Sequence, residues 1–304
     1  MKTRNISATS ALISAFLTSC VTKPQRICTI LVFVLALVLT PSSAFAFTFT
    51  TFDSPDATFT QGIGINSPGD IVGVYEDAVG MRHGFLLAEG IFTTIDGPGA
   101  TFTSAIGINS AGRIVGVYDD GTGVSHGYVW AKGTFTTIDV PGATSTFANR
   151  INDAGKIVGG YVASGIVHGF LLSKGSFTTI DVPASTLTEV NGISSSGNIV
   201  GHYQDLLGDH GFLLASGVFT TIDIPGATYV ESDDINAAGQ IVGTYDDAAG
   251  ITHGYLLAQG VLTTIDVPGV PFPTQAFGVN SKGDVVGIYA AQGFLLSHDV
   301  FTTI

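Results

Sequence analysis

The stretch HGFLLAEGIFTTIDGPGATF, residues 83–102, is repeated along the chain with small changes. HGYVWAKGTFTTIDVPGATS follows at 126–145, and HGFLLSKGSFTTIDVPAST follows at 168–186. The FTTID-like core begins at residues 49, 92, 135, 177, 219, 262 and 301, so successive copies lie 39 to 43 residues apart. A nearly fixed period of this length indicates a repeat architecture, in which each copy is one supersecondary unit.

Each copy contains four short apolar runs separated by turn residues. In the second copy the runs are 105–109, 113–118, 126–130 and 134–139. The Gly between the first two runs suits the left-handed position of a hairpin turn. It recurs in all six copies, as Gly69, Gly112, Gly155, Gly197, Gly239 and Gly283. No stretch after residue 46 has a helical period of useful length, so we expect strands and turns only.

The link between copies is longer, about eight residues with Pro and Gly. Such a link lets the chain cross from the outer edge of one propeller blade to the inner edge of the next. The sequence therefore predicts an all-β, six-bladed β-propeller of four-stranded repeats, with the first run of each copy lining the axis. Two β-trefoils are the alternative, disfavoured because no linker interrupts the midpoint of the chain. Either 49–53 or 301–304 is expected to close the ring as the outer strand of the last blade.

Residues 22–46, at the end of a 46-residue leader, have the pattern of a secretory signal peptide. A basic start with Lys23 and Arg26 precedes an apolar run, and the segment ends in a small-x-small motif at Ala46. Cleavage there leaves 47–304 as a single six-repeat domain without a membrane span. We expect a secreted, periplasmic or cell-surface protein. The alternative is a lipoprotein anchored through Cys20, which follows Leu-Thr-Ser.

The composition excludes several classes of function. Both cysteines, Cys20 and Cys28, lie in the leader, so the rest of the chain has no disulfide and no Cys ligand. Residues 47–304 contain 24 acidic and seven basic residues. Such an excess of negative charge repels nucleic acid, so we expect no nucleic-acid partner.

The segment GINSAGRIVGVYDDGTGVSHGYVW, residues 107–130, resembles the repeat of the HAF family, which is named for a His-Ala-Phe triplet. The resemblance covers 48–304, and the triplet here reads His-Gly-Phe or His-Gly-Tyr. It implies an exported, β-rich bacterial repeat protein and brings no activity with it.

Residues that recur in every copy are expected to build the blades. Five His occupy one column: His83, His126, His168, His210 and His253. Successive blades hold these side chains apart, so we interpret them as repeated hydrogen bonds and not as metal ligands. A Gly in the middle of the second run is expected to admit an aromatic ring from the next sheet. Acidic residues in the loop after that run are interpreted as a solvated rim.

A ligand site must break the repeat, and the first run does so. Copies one, two and six read QGIGIN, SAIGIN and QAFGVN, whereas copies three to five read FANRIN, EVNGIS and ESDDIN. The polar residues so placed near the axis are Asn149, Arg150, Glu189, Asn191, Glu231, Asp233 and Asp234. They predict a site for a small polar ligand or for a divalent cation such as calcium. The alternative is that Arg150 pairs with Asp233 or Asp234 and fills the channel.

These observations lead to two functional hypotheses. The first is a monomeric, non-enzymatic binding or scaffold module, without a cofactor, for an extracellular glycan or protein. It rests on fold analogy, and no nucleophile motif supports an enzyme instead. The second is a lyase or hydrolase that uses the acidic cluster in the channel.

Overall fold

The structure is a computed structural model that describes residues 54–270, 273–290, 292–298 and 300–303. These residues form 24 β-strands, and no helix is assigned among them. The expected signal peptide, the Cys20 motif and the run 49–53 lie outside the described residues.

The strands form six consecutive sets of four, which we call sets 1 to 6, and each set is an antiparallel meander in chain order. The first strands are β1 (Phe59–Ile65), β5 (Phe102–Ile108), β9 (Ser145–Ile151), β13 (Leu187–Ile193), β17 (Tyr229–Ile235) and β21 (Thr274–Val279). The second strands are β2 (Ile71–Glu76), β6 (Ile114–Asp119), β10 (Ile157–Ala163), β14 (Ile199–Gln204), β18 (Ile241–Asp246) and β22 (Val285–Tyr289). The third strands are β3 (Arg82–Ala88), β7 (Ser125–Ala131), β11 (Ile166–Ser173), β15 (Asp209–Ala215), β19 (Thr252–Ala258) and β23 (Gln292–Ser297). The fourth strands are β4 (Ile91–Ile95), β8 (Thr134–Ile138), β12 (Ser176–Ile180), β16 (Val218–Ile222), β20 (Val261–Ile265) and β24 (Val300–Thr303).

The first strands of all six sets surround one central cavity. Side chains from every one of these strands, or from the turn that follows it, line a space of about 260 Å³. In sets 1 to 5 the fourth strands are largely exposed except for their last Ile. The first strands are therefore the inner strands and the fourth strands are the outer ones, as the order of the runs predicts.

Apolar clusters join each set to the next. Five such clusters occur among the described residues, one at each junction from sets 1 and 2 to sets 5 and 6. Each contains a Val of the second strand that is fully buried, for example Val242 at 0% exposure. Burying a side chain of this size contributes about 2 kcal/mol, so these junctions are a main source of stability.

The junction between set 6 and set 1 is different. Val286, the equivalent of Val242, is 41% exposed, and Ile65 at the end of β1 is 66% exposed. In the other five sets the equivalents of Ile65 are at most 8% exposed. Within the described ranges no apolar cluster joins these two sets. Residues of both line a cavity of about 330 Å³, which the inner strands of sets 2 to 5 also line.

The Gly in the middle of each second strand is required by close approach to the inner strand. A Cβ on Gly73 would lie 1.9 Å from the carbonyl oxygen of Gln61, and the other five sets repeat this approach at 1.9 to 2.0 Å. The nearby ring belongs to the third strand of the same sheet, as Phe85 does beside Gly73. The expectation of a ring from the next sheet was therefore wrong, because the ring belongs to the residue directly opposite the Gly in its own sheet.

The outer strand of set 6 is β24, which pairs with β23. The fourth position of the last set is thus filled from the C-terminal run. Every set is built from four strands that are consecutive in the chain.

Candidate functional site

The His column forms a repeated hydrogen-bonded network near the outer edge. In each of sets 1 to 5 the His Nδ1 lies 2.6 to 3.0 Å from the Asp that follows the outer strand. Its ring stacks on the Tyr of the second strand at 5.0 to 5.1 Å. That Tyr hydroxyl shares a hydrogen bond with a Thr of the outer strand, as Tyr118 does with Thr137 at 2.9 Å. The interpretation of the His column as a repeated hydrogen bond is confirmed.

A second Asp approaches the His in four of the sets. Asp77, Asp120, Asp205 and Asp247 lie in the loop before the third strand, 3.4 to 3.6 Å from Nε2 of their His. These carboxylates also accept backbone N–H groups of their own loops. These side chains are partly exposed, as the interpretation of a solvated rim requires, and they also hold the conformation of their loops.

The two flanking carboxylates change the ionisation of the network. Burial lowers the pKa of His83, His126, His210 and His253, but the hydrogen bonds and charges of the Asp residues outweigh it and raise the pKa above its usual value. Hydrogen bonds from the side chain and backbone of Thr122 lower the pKa of Asp120 to about 2. The networks of His83, His126, His210 and His253 therefore favour a charged His between two carboxylates.

An Asn at the end of the inner strands ties neighbouring sets together, and the sequence analysis missed it. Nδ2 of Asn109 donates to the Asn152 carbonyl at 3.2 Å, and Asn66, Asn152 and Asn236 make the same bond to the next set. Their Oδ1 atoms accept N–H groups of the following turn. The signal was available, since Asn or Ser ends this run in all six copies.

All six inner strands contain a β-bulge, and the sets differ in the residue that stands at it. In every set the inner strand has one residue more than its partner at the same place, between Val190 and Gly192 in β13, for example. A bulge redirects the side chain of the extra residue. The extra residues are Ile63, Ile106, Asn149, Asn191, Asp233 and Phe277. Sets 3 to 5 thus place polar groups where the other sets place apolar ones.

Sets 4 and 5 bring four of the predicted residues together. Asn191 Nδ2 donates to Glu231 Oε1 at 3.0 Å, and the Tyr229 hydroxyl donates to Glu231 Oε2 at 2.7 Å. His202 Nδ1 lies 3.7 Å from Glu231 Oε1, beyond hydrogen-bond distance. Glu189 is directly opposite His202 in the sheet. We call Glu189, Asn191, His202, Tyr229, Glu231 and Asp233 the inner polar cluster.

Burial and mutual repulsion change the ionisation of this cluster. Burial raises the pKa of Asp233 well above its usual value, and the charge of Glu231 raises it further. Burial also raises the pKa of Glu189, and the charge of Glu231 adds to that effect. The two carboxyl groups therefore hold protons more tightly than exposed carboxyl groups do.

Three buried polar atoms around the cluster lack a hydrogen-bond partner in the described part of the chain. They are Asp233 Oδ2, His202 Nδ1 and Thr244 Oγ1. Thr244 is 4% exposed and lies opposite Glu231 in the sheet. An unpaired buried polar atom costs about 1 to 3 kcal/mol, so such atoms mark a place where a bound molecule can supply the missing partner.

The remaining predicted residues lie outside the cluster. Nδ2 of Asn149 donates to the Val190 carbonyl at 2.9 Å, which is a tie between sets. Arg150 and Asp234 line the cavity of about 330 Å³. Asp234 accepts the Val279 N–H at 3.1 Å.

The alternative is that Arg150 pairs with Asp233 or Asp234 and fills the channel, and no direct contact in the described residues supports it. Arg150 Nη1 donates to the Asn149 carbonyl at 3.1 Å. Among the described residues, no ion pair within 4.0 Å joins Arg150 to Asp233 or Asp234. The charge of Arg150 still lowers the pKa of Asp233, so the guanidinium acts on this carboxyl at longer range.

The described residues contain neither a metal-binding cluster nor a membrane-spanning helix. No three His, Cys, Asp or Glu side chains in that part are arranged to hold a metal ion. No helix there is long and apolar enough to cross a membrane.

His202 and Tyr229 are the cluster residues that the sequence analysis missed. His202 stands where the other second strands have Val74, Val117, Gly160, Thr244 and Ile288. Aligning the second run as well as the first would have shown this break in the repeat. Tyr229 lies two residues before Glu231, and so two positions before the first run of copy five, ESDDIN at 231–236.

Comparison with known proteins identifies the fold and no family. No protein-family model matches the chain, and no curated protein matches it significantly. The β-propeller domain of the Trilobed protease from Pyrococcus furiosus, with an open velcro topology, is similar with a TM-score of 0.54 and 12% identity, over 82% of this chain and 84% of that one.

Two further solved structures are similar to the chain. A streptogramin B lyase has a TM-score of 0.54 and 13% identity, over 82% of this chain and 84% of that one. The Aleuria aurantia lectin in complex with α-methyl-L-fucoside has a TM-score of 0.50 and 10% identity, over 82% and 96%. Together with the four-stranded sheets, these similarities identify the described chain as a β-propeller. At such low identity they carry no information about activity.

Proposed function

We propose that the chain is a six-bladed propeller that acts as an exported, non-enzymatic binding or scaffold module for an extracellular glycan or protein. The 24 strands in six sets fit six blades, and all six inner strands line one cavity. The proposed contact site is the inner polar cluster of sets 4 and 5.

The unpaired buried atoms of this cluster carry the proposal. Asp233 Oδ2 can accept a hydrogen bond from a ligand hydroxyl, and His202 Nδ1 can donate or accept one depending on its tautomer. Glu231 is held by Asn191 and Tyr229, so its carboxylate is positioned before a ligand arrives. Sugar hydroxyls both donate and accept, which suits such a mixed set of groups. The fold similarity to a fucoside-binding lectin agrees with a glycan but does not specify one.

A glycan array followed by calorimetry on the hits tests this proposal. Glu231→Gln should weaken binding of the selected glycan at least about tenfold, because a charged acceptor becomes neutral. Gln275→Ala is the matched control, since Gln275 occupies the same column in set 6. Equal loss in both variants, or no glycan or protein bound by the wild type, contradicts the proposal.

The enzymatic alternative is favoured by one observation, the raised pKa of Glu189 and Asp233. A carboxyl group that holds its proton more tightly than usual can serve as a general acid. Recovering the glycan after incubation distinguishes the two functions, since a lyase or hydrolase returns a shorter product and a binding module returns the glycan intact. Glu231→Gln should then abolish turnover.

The cation hypothesis has a separate test. A calcium ion held by the acidic cluster should show in native mass spectrometry, and EDTA should lower the melting temperature until calcium is restored. An unchanged melting temperature and no bound ion exclude this hypothesis.

The cellular location is proposed from the leader alone. N-terminal sequencing of protein recovered from the producing cells should give Phe47 as the first residue if cleavage follows Ala46. A lipidated Cys20 at the N-terminus supports the lipoprotein alternative instead.

A further inference from the structure

A larger cavity lies outside the channel, at the junction of sets 2 and 3. Its volume is about 560 Å³, within the range of small-molecule sites in proteins. The outer strand β8 forms one wall, and the turns before β10 and β12 form the other. Apolar side chains line its interior, namely Val129, Ile138, Ile157, Leu172 and Phe177. We call this cavity the 2–3 groove.

Two cations stand at the 2–3 groove. Arg113 and Lys174 both line it. The guanidinium of Arg113 lies over the turn before β10, where a Cβ on Gly155 would be 2.8 Å from Nη1. No ion pair among the described residues includes Arg113 or Lys174. In a chain with such an acidic excess, two cations without a carboxylate partner are available to an anion.

The repeat shows that this pair of cations is specific to one junction. The position of Arg113 in one set and that of Lys174 in the next can be compared at all five described junctions. The pairs are Asp70 with Lys132, Arg113 with Lys174, Lys156 with Ser216, Asn198 with Gln259, and Gln240 with His298. Only the junction of sets 2 and 3 combines two Lys or Arg residues. Like the inner polar cluster, the groove departs from the repeat.

Other groups that line the 2–3 groove suit a ligand with hydroxyl groups and an apolar face as well as a negative charge. Thr136, Thr137 and Asp139 offer hydroxyl and carboxylate groups along β8. Asp139 is already 2.9 Å from His126 Nδ1, so its remaining oxygen can accept a ligand hydroxyl. The Phe177 ring and the aliphatic interior suit the apolar face of a sugar ring.

We propose that the 2–3 groove binds a short acidic oligosaccharide, with the carboxylate of a uronic acid between Arg113 and Lys174. Arg113 presents a planar fork that can bind the carboxylate bidentately, and Lys174 adds a second charge. The sugar rings lie on the apolar interior, and their hydroxyls contact β8. The site is separate from the channel and does not depend on the function proposed for the inner polar cluster.

Calorimetric titration of the purified protein with tetragalacturonate tests this inference. The double variant Arg113→Gln/Lys174→Gln should weaken binding at least about tenfold. The double variant Lys132→Gln/Lys156→Gln removes the same total charge from neighbouring positions and should change binding by about twofold or less. Circular dichroism confirms that each variant is folded.

A neutral tetrasaccharide of galactose separates specific recognition from sugar stacking alone, and it should bind much more weakly. Three results would overturn the inference: equal weakening by the two double variants, equal binding of the charged and neutral tetrasaccharides, or no binding of tetragalacturonate to the wild type at millimolar concentration.

Discussion

The inner strands of sets 3 to 5 and those of sets 1, 2 and 6 share one backbone but carry different side chains. All six have the same bulge and the same approach of a Gly from the second strand. At the bulge, however, sets 3 to 5 have Asn or Asp, whereas sets 1, 2 and 6 have Ile or Phe. Because the repeated framework fixes the backbone, polar groups can be introduced at the bulge without rebuilding the sheet.

The largest predicted effect comes from disrupting the backbone contact that all six sets share. Two adjacent glycines, Gly159 and Gly160, allow this contact to be tested with a matched control. Gly159→Ala places a Cβ 1.9 Å from the Phe147 carbonyl oxygen, whereas Gly160→Ala meets no atom closer than 3.8 Å. We expect Gly159→Ala to lower the free energy of unfolding by more than about 4 kcal/mol, and Gly160→Ala by less than about 1 kcal/mol. Urea unfolding of both variants measures this. Similar values for the two would show that the close approach is not required.

The second prediction extends the comparison to the junctions between sets. Val242→Ala should lower the free energy of unfolding by about 2 kcal/mol, because the side chain is fully buried against set 6. Val286→Ala should cost less than about 1 kcal/mol, since its side chain is 41% exposed toward set 1. Equal losses in urea unfolding would show that sets 6 and 1 pack together in solution.

The third prediction has the opposite sign and concerns the inner polar cluster. The raised pKa of Asp233 means that the folded state binds its proton more tightly than the unfolded state, so the ionised group destabilises the fold at neutral pH. Asp233→Asn should therefore raise the free energy of unfolding by about 1 kcal/mol at pH 7, and the gain should shrink toward pH 4.

Asp234→Asn is the matched control for this variant. Asp234 accepts a backbone N–H, so its replacement by a neutral acceptor should lower stability slightly. Destabilisation by Asp233→Asn at pH 7 would mean that the Asp233 carboxylate has a partner in solution.

The smallest predicted effect is a pH dependence of the His network. The folded-state pKa of four His is raised, so their contribution to stability is present below the usual His pKa of about 6.5 and is lost as pH rises through the raised value. The melting temperature should therefore fall as the pH rises above about 6.5. The raised pKa of Glu189 and Asp233 acts in the same direction.

His253→Gln should remove part of this dependence of the melting temperature on pH. It should lower the free energy of unfolding by less than about 1 kcal/mol, because the Asp partners are partly exposed. Gln occurs at this position in set 6, as Gln292. His298→Gln, outside the network, should leave the slope unchanged. A melting temperature that rises with pH over the same window would contradict the assignment.

The sequence predicted the framework well because each strand is bounded by a turn signal that recurs. In the second copy the four expected runs all correspond to strands, although β5 begins at Phe102, three residues before the expected start. Extension of β5 over the end of the link explains this difference, since backbone pairing with β6 continues there.

The inner polar cluster was predicted only in part. Glu189, Asn191, Glu231 and Asp233 were found because they break the alignment of the first run, whereas His202 belongs to the second run. The bulge determines where the neighbouring side chains point. It therefore determines the hydrogen bond from Asn149 to the Val190 carbonyl and the separation of Arg150 from Asp233 and Asp234. A linear sequence does not contain that direction.

Each set consists of four strands that are consecutive in the chain, and β24 occupies the fourth position of the last set. A gene duplication or deletion of one copy therefore adds or removes a complete sheet and leaves every remaining sheet intact. The number of copies can change in evolution by unequal recombination. The bulge residue of an added copy can then change from apolar to polar without a change in the backbone of its sheet.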